Sequence, residues 1–596
     1  MMTTTTWHTL YAPLDLSKQV TRLLCITPQA LATGNSPEFR LQHALLDTKS
    51  QYETISYCWG DPTPCRTVLI DGKELQLPRS SAGIIEHISA TSDQARVIWI
   101  DAVCVNQADT KERGHQVALM TRIYSEACQN NIYLGEGDTA SLKGLETIRA
   151  LSVEIHRRYP AHASDLQTPI DESAVSAFFS LPWFSRVWVV QEAVLARRSV
   201  CTLGQTQIDF DDVTRATDCL FDLSIINQVT KFDGLIKAYV VFMIRRLRDW
   251  IAQGIPIDLN HALLTTLLSK CSDWRDKVFG VLGLCSGSIA RFGASDLLAV
   301  DYTKPYNHVA RDATRHAVMT THFGADAFLR LPCIIRCIFH HSLSNLHNSD
   351  LPSWVPRTLR KVDFDVDGHA LAVWGVNEVA TYQTMVGELK DPNTLELRGN
   401  VVGKVAQVSP LFEPTMFTDN LARLRGQLTT IQAMAKQGRA YYQLGRILIG
   451  DTNYKEKRST KEDRAGLGHM LDCMVSMPGR LTSGRSDITA ATEGADSEIS
   501  GVRYFKALVQ ACRSRRFILT DRGDLGLAPR LSRVGDTIAG LSVDHGGVPY
   551  ALHYNESDDS FKLVGACYID GHMPGRLDEA IRGSESDIHY EWFKIT

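Results

Sequence analysis

Glu192 stands four residues after Trp188 in LPWFSRVWVVQEA (Leu181–Ala193), so a helix here puts the indole and the carboxylate on one face. Two earlier segments carry most of the other chemistry-bearing side chains in the first third of the chain. ETISYCWGD (Glu53–Asp61) ends in Trp59 and Asp61. VIWIDAVCVNQADTKERGHQV (Val97–Val117) holds Asp101, Asn106, Gln107, Arg113 and Gln116. An apolar strand with Ile98, Trp99 and Ile100 has no folding reason to be followed at once by an acid and then by two amides. Acids and amides at strand ends and in first helical turns are where α/β proteins build sites for polar ligands. Each residue also has a structural reading. Asp101 caps a loop, Asn106 fixes a turn, and Arg113 and Glu192 serve as ion partners, Glu192 to Arg186 or Arg197.

The elements that must position these residues alternate. Tyr52–Tyr57 and Arg96–Ile100 read as buried strands, and Asn131–Leu134 as a third, ended by Gly135. Between the first two, Arg66–Leu77 reads as a hairpin on Asp71-Gly72, a pair suited to a type I′ turn. A helix can start at Ser80. Asp109 with Glu112 makes a capping-box-like start, and Val117, Met120, Tyr124 and Ala127 then share one face of a long helix. Residues 172–197 read as helical, with Pro182 near a helix start, and Ser199–Phe210 as a hairpin centred on Gly204. Strand–helix alternation implies a parallel sheet, which gathers strand C-termini along one edge, so Asp61 and Asp101 can converge. Asp101, Arg113 and Glu192 are expected in one polar cleft with Trp59 or Trp188 in its wall.

The three segments together resemble the fungal heterokaryon-incompatibility (HET) domain. Its marks appear as Ser56-Tyr57-Cys58-Trp59-Gly60, as Trp99 through Val117, and as Pro182 through Glu192, with Val105 where the family usually has Ile. The W-x-x-x-E spacing of Trp188 and Glu192 also resembles that of Toll/interleukin-receptor (TIR) domains that cleave NAD. That resemblance implies Glu192 as the candidate catalytic residue, a carboxylate beside a developing oxocarbenium ion, with NAD as substrate and no cofactor required. The family implies a cytoplasmic protein of fungal self/non-self recognition that triggers programmed cell death. Two classes of action fit, an effector enzyme or a signalling module that works by assembly with an unknown protein partner or with itself. An accessory protein without a death role is a third.

A chain of 596 residues with 44% hydrophobic and 22% charged residues is a globular protein of more than one domain. A net charge of −4 implies no nucleic-acid surface, and no apolar run reaches the roughly 18 residues of a membrane span. The start, MMTTTTWHTLY, is not a secretory signal. Fourteen cysteines, among them Cys104, Cys201 and Cys285 in apolar runs, suit reduced thiols. No P-loop motif occurs. Cys333, Cys337, His340 and His341 form a metal-like cluster in an apolar run and read as a core helix. SDWRDKVFGVLGL (Ser272–Leu284) and VDYTKPYNHVARDATRHAV (Val300–Val318) resemble segments that follow the HET domain in one fungal subgroup, without the usual Pro at Trp274; Leu351–Pro356 fits it too.

The expected fold is α/β. A TIR-like parallel sheet with flanking helices is followed by a mostly helical region and a small C-terminal antiparallel β region. The expected divisions are an extension over 1–49, the HET domain over 50–212, a helical region over 213–390, and an α+β region over 391–450 and 501–596. Residues 451–500 are expected to be a flexible linker or insertion.

Overall fold

A computed structural model of the protein describes residues 10–46, 51–160, 165–222, 233–285, 298–320, 351–355, 391–450, 461–476, 496–541, 549–573 and 590–596, a few positions within these stretches apart. Contacts divide the chain into two compact units, Met1–Tyr306 and Asn307–Thr596.

The first unit is built on a seven-stranded sheet. Its centre is parallel. β6 (Arg96–Trp99) lies beside β3 (Glu53–Tyr57), β3 beside β7 (Gln129–Gly135), and β7 beside β8 (Ser199–Leu203). This is the alternation expected from the sequence. The chain before it is not an appendage. β1 (Val20–Thr27) pairs antiparallel with β6 and with β2 (Glu38–Leu45), so the expected N-terminal extension supplies one edge of the sheet. β9 (Thr206–Asp209) closes the other edge by the expected hairpin at Gly204 (φ 56°). The hairpin β4 (Cys65–Ile70) and β5 (Lys73–Pro78) turns on Asp71 (φ 51°) and Gly72 (φ 70°), the two positive values of a type I′ turn.

Helices cover the sheet: α1 (Arg79–Thr91), the single turn α2 (Asp101–Cys104) and α3 (Thr110–Glu126). Ile55, Ile85, Ile98, Trp99, Ile123 and Tyr124 meet in one fully buried core. Asp109 caps α3 by accepting from the amides of Lys111 and Glu112. Glu112 does not complete the expected box, because its carboxylate is drawn away by Arg22 of β1. The helix expected over 172–197 is three pieces: α5 (Glu172–Phe179), a 3-10 turn at Pro182–Ser185, and α6 (Trp188–Leu195). Pro182 starts the middle piece, as its fixed φ and missing amide allow.

α4 (Thr139–Arg157) and α5 touch through Gly144, where a Cβ would come within 2.2 Å of the Ala174 carbonyl and 2.8 Å of Phe178 Cβ. Gly144→Ala should therefore push two backbones apart and destabilise the unit by about 1–3 kcal/mol, read as a lowered denaturant midpoint. Beyond the expected boundary at 212, α7 (Phe210–Asp222) packs on α4. α8 (Asp233–Ala252) packs on α5, α6 and α7, α9 (Leu259–Thr265) packs on α8, and α10 (Asp276–Leu282) packs on α6 and α9. The compact unit thus runs past the HET-like segments.

In the second unit, α11 (Tyr306–Thr320) precedes the 14-residue strand β10 (Leu395–Val408). β10 pairs with β17 (Tyr590–Ile595), with β13 (Thr537–Leu541) and with β11 (Arg515–Thr520), bending at register shifts near Val401 and Val405. β14 (Pro549–Asn555) and β15 (Ser560–Ala566) link β13 back to β17, so β10, β13, β14, β15 and β17 close into a ring. β12 (Leu525–Pro529) and β16 (Tyr568–Ile569) extend from β11. All pairings are antiparallel except Phe561 with Ile595, in keeping with the expected C-terminal β region.

Charge and small residues suggested a linker over 451–500. Residues Lys461–Ser476 are instead helix α14, which packs on α15 (Asp496–Cys512). Between β10 and α14 stand α12 (Leu421–Ala435) and α13 (Leu444–Leu448). The Cys333, Cys337, His340 and His341 cluster lies outside the described residues. Among the described residues no helix is long and apolar enough to cross a membrane.

Candidate functional site

β3 and β6 are neighbours, and their C-terminal ends bring two of the three motif segments together. Asp101 follows β6 by two residues. Its Oδ2 accepts from Trp59 Nε1 at 2.7 Å, and its Oδ1 accepts from Tyr57 OH at 3.1 Å and from the Ala102 amide at 2.7 Å. Gln107 Nε2 donates to the Asp101 carbonyl at 3.0 Å, which ties the loop after α2 to the same point. The third segment arrives on α6. Glu192 is 3% exposed, and its carboxylate accepts from the Ser56 hydroxyl of β3 and from Tyr124 of α3. Trp183 Nε1 donates to the same Ser56 oxygen at 2.8 Å, fixing that hydroxyl so that its proton points at Glu192.

Arg186 supplies the cation of this cluster. It donates to the Tyr57 carbonyl and is the positive charge felt by both Asp101 and Glu192. Burial pushes the Glu192 carboxyl up to about 7, against the pull of Arg186 and the Ser56 bond. Burial also raises the Asp101 carboxyl, against Arg186, Trp59 and Tyr57. Burial works against the charge on Arg186, yet Glu192 and Asp101 hold its guanidinium above its ordinary value. Two carboxyls with raised affinity for protons thus lie in the field of one guanidinium. Glu192 is able to hold or release a proton near neutral pH, as an acid–base or charge-stabilising group requires.

The other expected residues divide. Trp188 and Arg113 join a second polar cluster. Trp188 Nε1 donates to Asp276 Oδ2 at 3.2 Å, Tyr302 OH donates to Asp276 Oδ1 at 2.8 Å, and the Arg113 guanidinium lies 4.8 Å from the Tyr302 ring centre. So Trp188 and Glu192 belong to one helix but to different networks. Asn106 closes a turn by accepting from the Ala108 amide. Gln116 bonds Thr21 and the Val20 carbonyl, holding β1 to α3. Asp61 is exposed and caps its own turn at Thr63 without reaching Asp101. Cys104 is a buried thiol pushed up to about 12 by burial, an inert state.

Sequence reasoning passed over Ser56, Tyr57 and Trp183 as site residues and gave Arg186 only as an ion partner of Glu192, although all four lie within its motif segments. The signal was a polar residue inside an apolar run, as in Ser56 between Ile55 and Tyr57. Among the described residues no group of three or more His, Cys, Asp or Glu side chains could hold a metal ion.

Comparison with known proteins agrees with this organisation. Residues 52–192 match the family model "Heterokaryon incompatibility protein (HET)", and residues 451–587 match the "Het-6 beta-barrel domain". Closure of the ring described above also needs β10 and β17, which lie outside that second match. The chain is 22% identical to "Heterokaryon incompatibility protein 6, OR allele" of Neurospora crassa, over 88% of this chain and 90% of that protein. No solved structure matches significantly.

Proposed function

We infer that this chain, a Het-6-like heterokaryon incompatibility protein, takes part in cytoplasmic self/non-self recognition between fused fungal cells and triggers cell death, with the HET domain as effector. One observation carries the enzymatic form of this reading. The W-x-x-x-E glutamate is buried on α6 against Ser56 of β3 with its carboxyl pushed up to about 7, under the charge of Arg186. A carboxylate that exchanges its proton near neutral pH suits cleavage of NAD. It would stabilise positive charge developing on the ribose as nicotinamide leaves, with Asp101 and Arg186 setting the local field. NAD is the substrate, and no further cofactor is required.

The test is Glu192→Gln in the full chain, overexpressed in a fungal cell, with cell death and cellular NAD read together. The swap keeps size and removes charge. The expected result is loss of death and retention of NAD, with nicotinamide release by purified protein down roughly a hundred- to thousandfold. Death at unchanged NAD, retained in the Gln variant, rejects the enzyme.

A second reading is favoured by the enclosure of Glu192. At 3% exposure and with its carboxylate met by Ser56 and Tyr124, it can serve as an internal tie in a module that acts through assembly with a protein partner or with itself.

A further inference from the structure

Ser56 of β3 stands between a buried indole and a buried carboxylate, and we propose that Ser56 and Trp183 are positioning residues for Glu192, the indole fixing the hydroxyl and the hydroxyl fixing one oxygen of the carboxylate. The inference rests on the reading of Glu192 as the charge-stabilising group in cleavage of NAD, and it names two residues that serve that group without touching substrate.

The chain of bonds starts in packing. Trp183 is 1% exposed and lies in the 3-10 turn Pro182–Ser185. Its ring meets that of Phe184 edge-on at 5.2 Å and that of Phe210 at 5.8 Å. Phe184 is packed in turn on Phe178 and Phe179 of α5, at 5.2 and 5.3 Å. An indole held on these sides keeps one orientation, and its Nε1 donates to Ser56 Oγ at 2.8 Å. Ser56 is fixed as well. It is 1% exposed, and β3 is paired on both flanks, with β6 and with β7.

A serine hydroxyl carries one proton and ordinarily turns to suit its partners. Here the indole proton occupies the oxygen, so the hydroxyl proton is aimed at Glu192 Oε2. A proton placed on Oε2 would meet the Ser56 proton head-on. Glu192 therefore takes up and gives up its proton at Oε1, and the bond from Ser56 favours the charged form that a developing oxocarbenium ion needs.

Arg186 before α6, Asp101 of α2 and Tyr124 of α3 also act on Glu192. Of the other elements packed on α6, α10 brings Asp276 to Trp188, and the turn Gly283–Cys285 carries the buried thiol of Cys285. α8 directs Arg245, Arg246 and Arg248 to Asp249, the Phe242 ring and Asp211. Ser56→Ala and Trp183→Phe alter none of these groups.

The test follows the full chain across pH by thermal unfolding and by nicotinamide release from NAD. Wild-type stability falls as pH rises from 4.5 to about 7, where the folded chain holds a proton on Glu192 that the unfolded chain has lost. Without the Ser56 bond the folded carboxyl binds that proton more tightly. In Ser56→Ala the upper end of the fall should therefore move up by about one pH unit, a tenfold change in proton affinity. The rise of nicotinamide release with pH should move up equally, with KM for NAD within about twofold of wild type. Trp183→Phe keeps an aromatic ring and deletes the donor. It should move both profiles the same way by less, and it guards against a misfolded Ser56→Ala chain. Stability profiles that stay in place in both variants overturn the positioning role. Nicotinamide release that drops with its pH midpoint unmoved overturns it too, since that is general damage to the fold. A stability profile that moves in a protein that releases no nicotinamide at any pH refutes the chemistry of Glu192 and leaves the bond chain standing.

Discussion

Arg22→Met should destabilise the N-terminal unit by roughly 3–5 kcal/mol, because it leaves Glu112 buried with no cation. Arg22 is 1% exposed and Glu112 4%. They meet in a two-pronged pair, Nη1 to Oε1 at 2.7 Å and Nη2 to Oε2 at 2.9 Å. Arg22 also donates to the Ala12 carbonyl at 2.6 Å, and its guanidinium lies 4.9 Å from the Tyr11 ring centre. Removal of the arginine leaves Glu112 with the Asn106 amide, at 2.8 Å, as its remaining partner in this group. One amide does not offset the desolvation of a carboxylate. The pair joins β1 to the turn that starts α3, so its loss should loosen the edge of the sheet that carries β1 and β2. Glu112→Leu added to Arg22→Met should recover most of the loss, since an apolar replacement of both partners leaves no buried charge. Urea unfolding of the single and double variants measures both effects. A single variant within 1 kcal/mol of wild type would show that water reaches the site.

Glu192→Gln should stabilise the protein at high pH. The carboxyl is raised from 4.5 to about 7 in the folded chain. Between those values the folded state holds a proton that the unfolded state has lost. Stability therefore falls as pH rises through this window, and the cost is complete above about pH 7. A shift of this size corresponds to about 3 kcal/mol. Below pH 4.5 both states are protonated and the effect vanishes. The Gln variant lacks this slope, so it should match the wild type near pH 4.5 and exceed it at pH 8 by up to about 3 kcal/mol, as thermal unfolding across the range would record. A residue whose removal raises stability is one the fold did not select for packing, which is the mark of a functional carboxyl. Parallel pH profiles of the two proteins would instead assign Glu192 to structure.

The parallel centre of the first unit was legible because its strands and helices alternate with short turns, and because Asp71-Gly72 and Gly204 carry their own turn chemistry. β1 and β2 were not. Thr21 and Arg22 look like surface residues, and the groups that bury them, Trp99, Gln116 and Glu112, lie roughly 80 to 95 positions away. Once Arg22 is placed, the reading of Glu112 changes from a helix cap to an ion partner and that of Gln116 from a site residue to a strand tie. The candidate site was half legible for a similar reason. Asp101 and Glu192 stand out as acids after or within apolar runs. Arg186 reads only as one of two candidate ion partners of Glu192, because its bond to the Tyr57 carbonyl depends on β3, 129 positions back. Asp276 lies in the segment Ser272–Leu284, and its contacts depend on Tyr302, 26 residues on, and on Trp188, 88 residues back.

The strand that seals the second unit sets a schedule for making it. Asn400 of β10 pairs with Tyr590, and Leu395 with Ile595, so the ring cannot close until residue 595 has been synthesised. At the ordinary pace of translation, β10 waits roughly 10–40 s for β17, and for much of that time β11 and β13 are not yet made either. The sheet of the first unit is complete by Asp209 and faces no such wait. A message cut short between codons 400 and 590 would therefore yield a product whose first unit has its whole sheet while its second unit exposes an unpaired strand edge, the kind of edge that recruits other chains.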